Sequence, residues 1–397
     1  MTILSGTRKR KKMKFKELFN EEYLPDWEKI SKVGEFAALI GNEQSSVWHK
    51  EGDVWEHTKR VTDAMLSLLK LKGVKTGSRD YIVLVSAAIC HDIGKPDTRK
   101  WDETKHDWTS PNHGHVGARM VRNLFFDEDV QMREEVCFLV DMHMICHHLL
   151  EKKPEARDLT VEKLNSSFRP FKDLVLLNYC DNLGSENDMM SGVDVMRRGL
   201  DLLRLTDDHH KVETQYISEL ARLNGISPDK IKSYPPKTYV FVLVGLPGSG
   251  KNYYLDTHTT DNESVGILSR DDIRTEIGLK GEKPQGNKRE EEEVTRIFEE
   301  RLKEYAQTKT TIFINNVNVR KKYRDRYLEI LSQYTDGTIT YIYFNTDVET
   351  CKQRRNGMMP FSVINRMNNN FDFPQLYECS ALYVTDGKSM ENLIQNG

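Results

Sequence analysis

Six residues in the first half of the chain offer donors suited to a metal: His57, His91, Asp92, His113, His143 and Asp181. Imidazoles and carboxylates suit first-row divalent ions, and a carboxylate can bridge two of them. Two neighbouring ions can clamp a phosphate and lower the pKa of a water between them. The most compact element is Cys90-His91-Asp92-Ile93-Gly94-Lys95-Pro96, which sets an imidazole beside a carboxylate at the end of an apolar run. Lys95 follows closely enough to hold a phosphate oxygen, or else is a solvated loop lysine. His115 and His147 compete for two of the six places, with His147 and His148 otherwise reading as a solvent-facing or phosphate-facing helix surface. Cysteines at 90, 137, 146, 180, 351 and 379 show no CxxC spacing, so a structural thiolate–zinc site is not expected.

A second chemistry lies further on. The apolar run Tyr239 to Val244 leads into Gly245-Leu246-Pro247-Gly248-Ser249-Gly250-Lys251-Asn252. Glycines at 245 and 250 followed by Lys251 have the spacing of a loop whose backbone N–H groups wrap a nucleotide phosphate. Gly248 and Ser249 belong to the same cradle. Asn252 stands where Ser or Thr usually offers a hydroxyl to Mg²⁺. Downstream, Ser269-Arg270-Asp271-Asp272-Ile273-Arg274 follows another apolar run. Asp271 could accept a proton from an attacking hydroxyl, and Arg274 could grip an acceptor phosphate. Alternatively Asp271 or Asp272 caps a helix. Arg354 and Arg355 could close over the nucleotide as a lid, or be surface residues of a charged helix.

The elements that must position these groups differ between the two halves. Val54 to Lys70 reads as an amphipathic helix with Val54, His57, Val61, Ala64, Met65 and Leu68 inward. Tyr81 to Cys90 reads as a buried helix stopped by Gly94 and Pro96. Asp97 to Asn112 reads as a loop. His113 opens a helix through Leu124, with Gly117 and Ala118 allowing close approach. Glu134 to Leu150 reads as one helix carrying His143, His147 and His148, and Phe171 to Leu183 as another carrying Asp181. The pattern predicts an all-α domain over 17–224, a proline-stiffened linker over 225–237, and an α/β domain with a parallel sheet over 238–397. Its strands are expected at Tyr239 to Val244, Val265 to Leu268, Thr311 to Ile314 and Ile339 to Phe344.

The bulk numbers agree with a multidomain globular chain: 397 residues, 38% hydrophobic and 30% charged. No apolar run approaches the ~20 residues that span a bilayer, and the early residues lack a signal-peptide pattern. With the scattered cysteines, this points to the cytoplasm. The net charge of −3 gives no global case for nucleic-acid binding. A basic cluster (Arg8, Lys9, Arg10, Lys11, Lys12, Lys14 and Lys16) reads as a solvated tail or a phosphate contact.

The order His57, His91-Asp92, His113, His143, Asp181 resembles the HD phosphohydrolase superfamily, and the segment around His91 and His113 looks like the HD domains of bacterial tRNA nucleotidyltransferases. The resemblance implies a dinuclear centre of divalent transition metals (Mn, Ni, Co or similar) acting on phosphomonoesters and 2′,3′-cyclic phosphates. The second half resembles 5′-hydroxyl polynucleotide kinases in its phosphate loop, in Arg270-Asp271-Asp272-Ile273-Arg274 and in Asn316-Val317-Asn318, with Arg274 one residue earlier than that family's pattern. That likeness implies Asp271 as general base, Lys251, Arg354 and Arg355 around ATP or another nucleoside triphosphate, and Mg²⁺. Together the halves resemble bacterial HD-Pnk end-healing enzymes. The implied partners are broken RNA, with DNA as a second polymer, and a separate ligase. Two other readings stand beside it: an HD nucleotide phosphohydrolase joined to a small-metabolite kinase, and a nucleotide-sensing module.

Overall fold

A computed structural model describes residues 12–207, 221–227, 238–259, 262–279, 288–335 and 339–393. The chain divides into two compact units between residues 210 and 211. That is ahead of the linker expected at 225–237, most of which lies outside the described residues. Ala221 and Leu223 are buried, and Asn224 accepts a hydrogen bond from Lys321 of the second unit at 3.1 Å. The segment before Gly225 thus packs with the second unit.

The first unit is helical. Its helices are α1 Trp27–Ile30, α2 Gly34–Ala37, α3 Val54–Leu71, α4 Arg79–Cys90, α5 Lys95–Thr98, α6 His113–Leu124, α7 Val130–Met142, α8 Ile145–Leu149, α9 Pro154–Asn165, α10 Phe171–Gly184 and α11 Gly192–Asp207. Side-chain caps start four of them where a donor would otherwise be orphaned: Asp26 for α1, Asp53 for α3, Ser78 for α4 and Asp129 for α7. Every residue of α4 from Tyr81 to Cys90 is buried, because α3, α7 and α10 pack around it. That is the environment an all-round apolar helix requires. In α3, Val54, His57, Val61 and Met65 face inward as expected, but Leu69 takes the buried place rather than Leu68.

Other expectations need correction. Asp97 to Asn112 is not a plain loop: α5 is followed by a hairpin, β1 Lys100–Asp102 and β2 Asp107–Thr109, with Trp101 opposite Trp108. Its three-residue strands are too short for alternation to show. The single helix expected from Glu134 to Leu150 is two, α7 and α8, separated at His143 and Met144. Within the basic N-terminal segment, residues 8–11 lie outside the described ones. Lys12 is no solvated tail residue: it donates to Asn123 O at 3.0 Å, and nearby Phe15 stacks on Phe125.

Among the described residues, the second unit is a six-stranded, mostly parallel sheet with helices. Its strands are β3 Tyr239–Val244, β4 Val265–Leu268, β5 Thr311–Asn315, β6 Ile339–Phe344, β7 Ala381–Thr385 and β8 Met390–Leu393. Their order is β4-β5-β3-β6-β7-β8, and only the β7–β8 pair is antiparallel. The last two strands are not anticipated by the sequence pattern. The helices are α12 Lys251–His258, α13 Arg270–Glu276, α14 Lys288–Thr308, α15 Lys321–Leu331, α16 Val348–Arg354 and α17 Phe361–Asn369. Because the central strands are parallel, their carboxyl ends open on one edge, where α/β domains bind ligands. Among the described residues, no helix is long and apolar enough to cross a membrane.

Candidate metal centre and phosphate-binding loop

Helix packing brings the six predicted donors of the first unit into one buried cluster. His57 comes from α3, His91 and Asp92 follow α4, His113 opens α6, His143 closes α7, and Asp181 lies on α10. Glycines make the approach close enough. A Cβ on Gly94 would collide with the His113 carbonyl oxygen, and one on Gly114 would stand 2.8 Å from that of Asp141. Arg122 clasps Glu134 with bonds of 2.7 and 3.0 Å, holding α6 to α7.

The donors form two triads, His57 with His91 and Asp181, and Asp92 with His113 and His143, each within 4.8 Å. His57 Nε2 is 3.0 Å from Asp181 Oδ1 and 3.3 Å from His91 Nε2. His113 Nε2 is 3.2 Å from Asp92 Oδ1. Asp92 Oδ2 lies 3.3 Å from His91 Nε2, so this carboxylate faces both triads.

Ring orientation tests whether the cluster fits metal. His91, His113 and His143 each donate Nδ1–H to the carbonyl three residues earlier, at 2.8, 2.7 and 2.8 Å. Their Nε2 atoms are thereby left as acceptors pointing into the cluster. His113 Nε2 and His143 Nε2 face each other at 3.0 Å. Two lone pairs so opposed need a cation between them. Burial, with His113 and His91 close by, pushes the His143 pKa down to about 3, which keeps it a neutral ligand. Burial alone would raise the carboxyl pKa values of Asp92 and Asp181. His91 and Lys95 outweigh it at Asp92, as His147 and His57 do at Asp181, and both stay well below the carboxylate range. The donor set fits two divalent cations.

Lys95 is not a solvated loop lysine. It is nearly buried, 2.6 Å from Asp92 Oδ2, and donates to Gln44 Oε1 at 2.9 Å. His147 approaches Asp181 Oδ2 at 3.3 Å, at the rim of the cluster. His115 stands apart, 3.7 Å from Asp141, and His148 is exposed.

Two residues missing from the sequence reading, Glu51 and His49, complete the cluster. Glu51 has a fully buried side chain, with Oε1 2.8 Å from both His57 Nδ1 and His49 Nδ1. Its other oxygen accepts from the Glu186 backbone at 2.8 Å. Burial disfavours a charged His57, yet Asp181 and Glu51 outweigh it and lift its pKa to about 9. Glu51 precedes α3 in an irregular segment, where no periodicity marks a residue as inward-facing.

In the second unit the glycine-rich turn joins β3 to α12. Gly248 and Gly250 have φ of +84° and +107°, and a Cβ on Gly248 would meet the Cys351 carbonyl at 2.8 Å. Lys251 is buried and donates to the carbonyls of Gly245 and Leu246 at 2.8 and 2.9 Å. Burial lowers its pKa to about 8, with Arg355 acting in the same direction. Arg354 donates to Gly248 O at 3.1 Å. A cleft of about 1880 Å³ is lined by Gly248, Lys251, Asp271, Arg274, Arg354 and Arg355 among others, and Ser249, Gly250 and Asn252 also face it.

The helix after β4 is capped by Ser269, whose hydroxyl accepts from the backbones of Asp271 and Asp272, so neither aspartate is the cap. Arg274 Nη1 bonds Asp271 at 2.6 Å, while its Nε and Nη2 engage Glu291 at 2.9 and 3.0 Å. The fork expected to meet an acceptor phosphate thus already holds a carboxylate. Glu291 sits in a charged helix that offered no signal of this partner. Asn318 bridges two strands, donating to Leu243 O and Ile314 O at 2.8 and 3.1 Å.

Residues 54–163 match the HD domain family, and residues 240–374 match the AAA domain family. The first match takes in every metal-site donor except Asp181. A CC-adding tRNA nucleotidyltransferase of Thermus thermophilus is 29% identical over 174 residues, 43% of this chain. The chain spans 36% of that relative's length. A chain in the structure of the Pnkp1/Rnl/Hen1 RNA repair complex has 19% identity and a TM-score of 0.31, covering 36% of this chain and 49% of that one. This chain carries an HD domain followed by an AAA-type, P-loop kinase-like domain.

Proposed function

We propose that the chain is a bifunctional end-healing enzyme for broken RNA, with DNA as a second polymer. The HD domain would hydrolyse 2′,3′-cyclic phosphate and 2′-phosphate ends. The P-loop domain would transfer the γ-phosphate of ATP, or another nucleoside triphosphate entering with its own Mg²⁺, to a 5′-hydroxyl. The ends so made suit a separate ligase. One observation carries this reading: the same chain holds two buried donor triads and a strand–glycine turn–lysine cradle.

In the HD domain, His57, His91 and Asp181 would hold one divalent ion and Asp92, His113 and His143 the other. Such ions, when bound, supply Lewis-acid charge to a phosphate and an acidified water. The carbonyl-anchored imidazoles fix the donor directions beforehand, so little reorganisation is needed. Lys95 adds positive charge beside Asp92 for a phosphate oxygen. His147, bonded to Asp181 and partly open to solvent, meets the substrate's phosphate or leaving oxygen.

In the P-loop domain, Lys251, Arg354 and Arg355 gather positive charge around the phosphates. Asp271 takes the proton of the attacking hydroxyl. Arg274 orients that carboxylate through its 2.6 Å contact. A nucleotide-sensing reading has one observation in its favour, the Asn252–Asn315 hydrogen bond at 3.1 Å in the cleft.

The test is an end-labelled RNA bearing a 2′,3′-cyclic phosphate and a 5′-hydroxyl, incubated with ATP and a panel of divalent ions, with both termini analysed. Asp92→Ala should abolish only the 3′-end change and Asp271→Ala only the 5′-end change. Activity on mononucleotides alone would instead support a phosphohydrolase joined to a metabolite kinase.

A further inference from the structure

The two side chains that stand where a P-loop domain would anchor Mg²⁺ are both neutral amides. Asn252 is the residue after the phosphate-loop lysine, and Asn315 ends β5 in parallel register with β3, opposite Leu243. In P-loop NTPases a Ser or Thr hydroxyl and an aspartate hold the ion. Here Asn315 Nδ2 donates to Asn252 Oδ1 at 3.1 Å, closing the two amides on each other. The pair carries no formal charge, and as placed it sets an NH₂ group between the two side chains. Mg²⁺ is bound through one or two carboxylates together with substrate phosphates and water, and this pair supplies no carboxylate. Two nearby acids are engaged elsewhere, Asp271 with Arg274, and Glu291 with Arg274 and Arg270. The amide pair does not fit a protein-ligated Mg²⁺.

Positive charge is instead concentrated in side chains. Lys251 lies beneath the loop, Arg354 reaches the Gly248 carbonyl, and the Arg355 side chain would lie 3.1 Å from a Cβ on Gly248. Three cations converge on one turn whose backbone N–H groups already favour an anion.

We infer that the P-loop domain binds nucleoside triphosphate through Lys251, Arg354 and Arg355 without a protein-held Mg²⁺, the Asn252–Asn315 amide pair having replaced the usual ion anchors. The inference rests on the reading of this domain as a nucleotide site. It concerns binding and stands apart from whether a phosphate is transferred.

The experiment titrates a fluorescent ATP analogue into the full chain in chelated buffer and again with added Mg²⁺, with thermal unfolding followed in both to show that the fold persists. Wild type should bind with dissociation constants that agree within about threefold. The double variant Asn252→Thr, Asn315→Asp should bind at least about tenfold more tightly with Mg²⁺ than without, because the hydroxyl and carboxylate restore an anchor. A gain of about tenfold or more in wild type overturns the inference while leaving the nucleotide reading intact. Loss of that gain in Asp272→Asn would then assign the ion to this other cleft carboxylate. Absence of binding in both buffers overturns the inference and the nucleotide reading together.

Discussion

At the scale of single residues, the informative contrast is how the four imidazoles are aimed. His91, His113 and His143 are fixed by backbone carbonyls, whereas His57 leans on the Glu51 carboxylate. Removing that charge should be felt at the metal. Glu51→Gln is expected to weaken divalent-ion affinity by about 10–100-fold, measured by competition with a chromophoric chelator. Unchanged affinity would reduce Glu51 to a packing role. Lys251 gives a pH signature. Its pKa of about 8 in the nucleotide-free protein lies below the ordinary 10.5. Phosphates favour the ammonium, so the bound pKa is higher than the nucleotide-free one. The binding contribution is therefore full below about pH 8 and weakens as pH rises above it, by up to about tenfold per unit. Calorimetry in buffers of different ionisation enthalpy should show proton uptake near and above pH 8. In the nucleotide-free protein the unfolded chain binds the extra proton between about 8 and 10.5, so this group makes the fold relatively less stable as pH falls through that window and relatively more stable as it rises.

At the scale of elements, two contacts decide geometry. Gly94 lies against the first turn of α6, where a Cβ would collide with backbone rather than a yielding side chain. Gly94→Ala should displace α6 and His113 with it. A cost of about 1–3 kcal/mol in denaturant unfolding is expected, together with weakened metal binding. In the P-loop domain, buried Arg324 pairs with buried Glu378 at 2.8 Å and donates to Asn318 O at 2.9 Å. Arg324 thereby fastens the turn between β5 and α15, whose Val317 carbonyl accepts from Gly245 N at 3.0 Å. Arg324→Leu leaves Glu378 charged and buried, and should cost about 3–5 kcal/mol in unfolding free energy. Pairing it with Glu378→Leu should recover a large part of that loss. If the pair is no more stable than the single variant, the ion pair is not the source of the effect.

At the scale of the whole molecule, the chain consists of two compact units, one holding the buried donor cluster and the other the glycine-turn cleft. With separate cores, substitutions in one unit are expected to leave the other unit's site unaltered. Asp92→Ala should leave fluorescent-ATP binding unchanged, and Lys251→Ala should leave divalent-ion stoichiometry unchanged. Chelation should abolish the 3′-end chemistry while nucleotide binding persists. Coupled loss in either single variant would show that the units act as one.

Much of this was legible in the sequence because helical spacing and short motifs are local. The run Tyr81 to Cys90 announces a buried helix, and the glycine–lysine spacing after β3 announces a phosphate cradle. The order of the six donors, through its resemblance to a known family, marked them as one set. Their convergence required five helices to pack within hydrogen-bonding distance. Only the folded chain revealed Glu51 behind His57, Glu291 occupying the fork of Arg274, and Asn315 facing Asn252. None of these partners is set by local periodicity, which does not encode the partner of a buried polar group. Side-chain type and near-neighbour spacing thus determined which chemistry the chain could attempt. Tertiary packing decided which groups meet, because burial compels polar atoms to find partners and only the assembled fold supplies them.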